Sequence, residues 1–213
     1  MRTHLVLLLV ALAVGMQAQS PQPTYALKTF TSADGTFQIN YSDTLIVCQQ
    51  QKQEWGGYIW VPAANCVAYH AVCDGLTPEK YEALACLAYP RNQHTDTPVF
   101  EAATFSVEIL DDVATMKACV AKPANDAFTP QVPINLNGVS FAVFRYEEAG
   151  MNKSVSGNVY RAFHNGRCYQ LGINVATINA QVYDPPAREM SERDWAVVNR
   201  ILQQARDSFR FLK

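Results

Sequence analysis

Arg145, Arg161 and Arg167 place three guanidinium groups in one alternating stretch near the C-terminal end of the chain, with Gln170 close behind. Guanidinium groups gathered on one strand face bind anionic ligands through charge-assisted hydrogen bonds. Arg161 and Gln170 are the sharper pair. A two-residue turn at Asn165-Gly166 sets Arg161 directly across from Gln170, on the face that also carries Cys168. The competing expectation is a solvated strand face carrying surface ion pairs of little energetic weight. His164 stands beside the same turn, where a half-exposed side chain is expected. With His70 and His94 it makes three imidazoles beyond residue 18. No two of them have the spacing of a helical metal pair, and His-Glu-x-x-His is absent, so no metal is expected. Gly-x-Ser-x-Gly and a phosphate-cradling glycine loop are also absent, and no catalytic residue or cofactor is assigned. Glu147-Glu148 are strand neighbours and point to opposite faces, a poor acid/base couple. Asp111-Asp112 suit the N-terminus of a short helix running to about Ala121, with Val113, Met116 and Val120 on its apolar side.

Six cysteines, Cys48, Cys66, Cys73, Cys86, Cys119 and Cys168, offer the other chemistry. A Cys–His hydrolase needs a free thiol near an imidazole. Zinc sites usually show a pair of ligands two to four residues apart; Cys-x-x-Cys and Cys-x-x-His are absent, and the closest two cysteines, Cys66 and Cys73, are seven apart. The even count and an exported chain favour disulfides. The pairing expected first is Cys86 with Cys119. Cys66 with Cys73 would close a local loop, unless residues 67–72 run as a straight strand that holds the two sulfurs apart. Cys48 with Cys168 then remains.

Export is read from the first residues. Residues 5–14 are an unbroken apolar run behind Arg2 and His4, followed by small residues. This is a signal peptide over 1–18, cut after Ala18 or after Gly15, and too short for a membrane span. Residues 19–24 hold Pro21 and Pro23 and read as a flexible leader, with one folded domain over 25–213. With 213 residues, 49% apolar and 17% charged, the chain has ample material for a core. A net charge of -2 argues against binding nucleic acid.

The elements that must position these groups follow from periodicity. Phe37, Ile39 and Tyr41 alternate with polar residues as a half-buried strand, and residues 58–61, 83–89 and 100–110 read as further strands. Residues 62–82 are irregular, with Thr77-Pro78 able to cap a brief helix. Trp55, Tyr58 and Trp60 suggest either an aromatic contact patch or core. Residues 124–133, with Pro130 and Pro133, read as a loop. Residues 138–148, 156–164 and 167–177 read as three consecutive antiparallel strands joined in part by the Asn165-Gly166 turn. Its register pairs His164 with Arg167, Phe163 with Cys168, Ala162 with Tyr169 and Tyr160 with Leu171. Tyr169, Leu171, Ile173 and Val175 then form the core face. Ser191 caps a final helix whose apolar side is Trp195, Val198, Ile201 or Leu202, Ala205 and Phe209. Asn152-Lys153-Ser154 and Asn40-Tyr41-Ser42 match the glycan acceptor pattern, with Asn152 in a turn the better candidate.

The run Gly138-Val139-Ser140, the hairpin Asn165-Gly166-Arg167 with Tyr169-Gln170-Leu171, and the ending Asp207-Ser208-Phe209-Arg210-Phe211 resemble the PsbP-like superfamily of α/β/α sandwiches. Gly35-Thr36-Phe37-Gln38-Ile39-Asn40-Tyr41-Ser42 is similar to that superfamily's opening strand, with Ser42 where Pro often stands. Cys66, Cys73 and Cys86-Leu87-Ala88-Tyr89-Pro90 look like a cysteine-bearing branch of exported bacterial proteins. The resemblance implies an α+β fold: a central antiparallel sheet with helices packed on its faces, here disulfide-stabilised. It also implies a non-catalytic, protein-binding role. The expected function is an exported, secreted or periplasmic, non-enzymatic binding or accessory domain, with another exported or envelope protein as partner. The alternative is a secreted hydrolase using His164 or an acid near the Arg161 face.

Overall fold

The computed structural model describes residues 25–52, 54, 58–73, 81–111 and 113–212. The expected signal peptide and leader, the Thr77-Pro78 helix, and Trp55 and Asp112 lie outside the described residues. Eight strands form the central sheet: β3 (Ile46–Lys52), β4 (Tyr58–Val61), β5 (Tyr81–Tyr89), β6 (Phe100–Leu110), β7 (Phe128–Leu136), β8 (Val139–Gly150), β9 (Lys153–His164) and β10 (Arg167–Ile178). Their order is β4-β3-β5-β6-β10-β9-β8-β7, and every pair is antiparallel. A second, three-stranded sheet joins β1 (Leu27–Thr31), β2 (Phe37–Ser42) and β11 (Arg210–Phe211).

The alternation of each central strand divides its side chains between two covered faces. On one face Leu87, Phe105, Val107, Phe141, Tyr160, Leu171 and Ile173 pack against Phe37 and Ile39 of β2 and against Val198, Ile201, Leu202 and Ala205 of α4 (Glu192–Ser208). The other face carries three short helices, α1 (Ala63–Cys66), α2 (His70–Cys73) and α3 (Met116–Cys119). The class is the expected one: an antiparallel sheet with helices on its faces and three disulfides.

The Asn165-Gly166 turn has both residues at positive φ, 48° and 77°, as a type I′ turn requires. The register it sets is the expected one, including Arg161 opposite Gln170 and Phe163 opposite Cys168. One close approach supports that pairing. A Cβ on Gly157 would lie 1.9 Å from the Ile173 carbonyl oxygen, so only glycine lets β9 sit against β10 there.

Several expectations are corrected. The disulfides join Cys48 with Cys66, Cys73 with Cys86, and Cys119 with Cys168. Cys86–Cys119, Cys66–Cys73 and Cys48–Cys168 are all displaced by these. Residues 63–73 coil as α1, a 3-10 turn (Val67–Tyr69) and α2, so Cys66 and Cys73 each reach a different strand beneath. Residues 128–133, read as part of a loop, belong to β7. That strand lies at the sheet edge, where Pro130 and Pro133 remove no ladder bond that a neighbour needs, and the register slips between Gln131 and Ile134. The helix after β6 is one turn capped by Thr115 rather than by Asp111, and Met116 and Val120 are exposed.

Candidate functional site

Arg161 and Gln170 meet as expected, but they do not face water. Arg161, Gln170 and Glu108 are each 1% exposed. The Arg161 Nε donates to Gln170 Oε1 at 2.8 Å, and Gln170 Nε2 donates to Glu108 Oε2 at 2.8 Å. Ser106 Oγ donates to Glu108 Oε1 at 2.9 Å. The amide of Gln170 thus relays between a buried cation and a buried carboxylate across β9, β10 and β6. Such charges persist in a core only when each is paired and hydrogen-bonded. Gly172 keeps the geometry open, because a Cβ there would come within 2.7 Å of Ser106 Oγ. The solvated-face expectation fails here because the sheet's second face is roofed by segments distant in sequence.

The row continues toward α2. Tyr146 OH donates to Asn174 Oδ1 at 2.9 Å. Asn174 Nδ2 and Thr104 Oγ1 both donate to the Val72 carbonyl, each at 3.1 Å. Burial, with Glu108 and Glu148 nearby, pushes the Tyr146 phenol well above its ordinary value, so it remains a donor.

Other expected residues are separated from this row. His164 lies on the opposite face, its ring stacked on Phe211 with centroids 3.9 Å apart. Arg167 shares that opposite face, paired with His164, and approaches Glu82 at 3.5 Å. Arg145 lies 3.7 Å from Glu147 in an exposed pair. The three arginines therefore form no single anion cluster, and His164 does not share a constellation with Arg161. His70's side chain lies outside the described residues. His94 packs between Tyr89 and Phe100 in an aromatic group that continues to Trp195. Of the proposed aromatic patch, Tyr58 is exposed and Trp60 is buried.

A groove of about 630 Å³ lies elsewhere, beside the β8–β9 turn. Met151 and Asn152 make that turn at φ 46° and 69°, and Met151 is 99% exposed. Trp195 and Met190 form an apolar wall; Asn152, Asn179 and Glu189 supply polar groups. The turn is docked by the Asn179 N–H, which donates to the Asn152 carbonyl at 2.8 Å. Lys153 is engaged by Glu101. Sequence reading missed this groove because its lining comes from several separate segments, and Trp195 reads there as ordinary helix core. Only Asn152, singled out as a turn residue, pointed to the place. Among the described residues, no group of His, Cys, Asp and Glu gathers as a metal site, and no helix is long and apolar enough to cross a membrane.

No protein-family model matches the chain, and no curated protein matches it. Among solved structures, it is similar to cyanobacterial PsbP (CyanoP) from Synechocystis sp. PCC 6803, with 7% identity over 92% of this chain and 98% of that one, TM-score 0.42. It is similar to LpqN, involved in cell envelope biogenesis of Mycobacterium tuberculosis, with 8% identity over 89% of this chain and 92% of that one, TM-score 0.43. It is also similar to the Saccharomyces cerevisiae Ran-binding protein Mog1p, with 10% identity over 89% of this chain and 97% of that one, TM-score 0.40.

Proposed function

We propose that this chain is an exported, non-enzymatic binding domain that contacts another exported or envelope protein through the groove beside the β8–β9 turn. The observation that carries this reading is the groove's make-up: fully exposed Met151 set beside Trp195 and Met190, rimmed by the amides of Asn152 and Asn179 and by Glu189 and Lys153. Aromatic and methionine side chains are enriched in protein interfaces, where they supply contact area, and a polar rim supplies register. Three disulfides support export, since such bridges persist in oxidising compartments. In this reading Arg161, Gln170 and Glu108 are not contact groups. They fix the sheet behind the surface, and His164 anchors β11 through Phe211.

The test places a photo-crosslinking amino acid at Met151 and, as a control, at Val132, which is exposed on the distant edge strand β7. One exported protein crosslinked from Met151 but not from Val132, and lost with Trp195→Ala, is the expected result. Equal crosslinking from both positions overturns the groove assignment. Turnover of ester, peptide or glycoside substrates that is abolished by His164→Ala overturns the non-enzymatic reading in favour of a hydrolase.

A further inference from the structure

Cys48 and Cys86 are register partners on the adjacent strands β3 and β5, on one face of the sheet. Each is already bonded to one end of the same overlying segment: Cys48 to Cys66 at the end of α1, and Cys86 to Cys73 at the end of α2. Residues 63–73 are therefore a strap stapled at two points to neighbouring strands. All four cysteines belong to one buried cluster. From this arrangement we infer that the two bridges form a site of thiol–disulfide exchange, in which a dithiol reductant releases the whole strap by a single two-electron reduction.

The reductant's thiolate attacks Cys66 Sγ, the Cys48–Cys66 bond breaks, and Cys48 leaves as a thiolate. The reductant's second thiol closes its own disulfide and frees the Cys66 thiol. The Cys48 thiolate then attacks Cys86 Sγ. The Cys48–Cys86 bond forms, the Cys73–Cys86 bond breaks, and Cys73 leaves to take up a proton. Two electrons and two protons pass from the dithiol to the protein, and both ends of the strap are now free thiols. The new bridge is geometrically accessible: directly opposed residues of an antiparallel pair have Cα atoms about 4.5–5.5 Å apart, within the range that disulfides span. Cys119–Cys168 lies in a different cluster and takes no part.

The strap is suited to lifting. Ala64, Asn65 and Ala68 on its outer side are exposed. Its polar ties to the sheet include the Val72 carbonyl, which accepts from Thr104 and Asn174. Beneath it the floor includes the small side chains Ala88, Ala102 and Ala176, with Trp60 of β4 in the same buried cluster. Once released, the strap would uncover that floor with Thr104 and Asn174 at its rim, a surface closed to ligands in the oxidised protein.

The test reduces the intact protein with limiting dithiothreitol, quenches with acid, labels with N-ethylmaleimide and maps the peptides by mass. The expected two-label species carries its labels on Cys66 and Cys73, contains a Cys48–Cys86 linked peptide, and is cut by chymotrypsin after Tyr69. Labels on Cys48 and Cys66 with Cys73–Cys86 intact, or on Cys73 and Cys86 with Cys48–Cys66 intact, overturn the exchange. So does a direct passage to four labels with no Cys48–Cys86 peptide. A Cys66→Ser variant gives an independent check. Its unpaired Cys48 should displace Cys73 without added reductant, leaving Cys73 labelled; labelling at Cys48 alone overturns the inference.

Discussion

At the scale of single residues, the Arg161–Gln170–Glu108 row is a place where substitution should be costly. Two opposite charges are buried with one amide between them, and removing either takes a hydrogen-bond partner from that amide in a medium of low polarity. Arg161→Ala should therefore cost about 3–5 kcal/mol in urea unfolding. Glu108→Leu alone should be costly for the same reason. The double variant Arg161→Met with Glu108→Leu should recover much of the loss, because replacing a buried pair by apolar groups of similar volume is often near neutral. Costs that simply add in the double variant would show that the two charges do not act as a unit. The pairing of Arg161 with Gln170 was legible because a two-residue turn fixes every partner along β9 and β10. Glu108 was not, because β6 joins β10 from more than fifty residues earlier and nothing local aligns the two. Burial was equally illegible: alternation tells which side chains share a face, but not what covers it.

Elements whose ends carry their own chemistry were read best. The final helix begins at Ser191, whose hydroxyl accepts from the Asp194 N–H at 3.2 Å while the Asp194 carboxylate accepts from the Ser191 N–H and hydroxyl. The Ser191 hydroxyl is the main cause holding the Asp194 carboxyl below its ordinary value, against the opposing effect of burial. A depressed carboxyl stabilises the fold above its unfolded value of 3.8, and that contribution is lost as the pH falls through the lower, folded value. Asp194→Ala should cost about 1 kcal/mol at neutral pH, the usual size of a lost cap. The gap between variant and parent in thermal unfolding should close in acid below about pH 4; a gap constant down to pH 2 would detach the carboxylate from the cap. Elements that depend on distant partners were read worst. β7 passed for a loop because Pro130 and Pro133 argue against a strand, and only its place at the sheet edge makes them tolerable. The strap over residues 63–73 has no amphipathic repeat long enough to announce a helix, and its coiling decides which cysteines can meet.

Across the whole molecule, the three bridges divide the labour by loop length. Cys48–Cys66 and Cys73–Cys86 close separations of 18 and 13 residues, whereas Cys119–Cys168 closes 49 and ties the segment after β6 to the middle of the sheet. If a bridge acts by restricting the unfolded chain, its contribution grows with the logarithm of the loop. Cys119→Ala with Cys168→Ala should then cost about 4 kcal/mol, against about 3 kcal/mol for Cys73→Ala with Cys86→Ala. Urea midpoints of the two variants, with slopes compared to the parent, measure the order. The long bridge should matter more, even though the short ones sit in the larger sulfur cluster. A reversed order would mean that the strap's bridges stabilise the folded state directly, by holding α1 and α2 against Ala88, Ala102 and Ala176. In that case loss of the strap should also loosen the Asn174–Val72 tie. Faster amide exchange along β6 and β10 in the Cys73→Ala, Cys86→Ala variant, with β8 and β9 unchanged, would locate the effect there rather than in the unfolded chain.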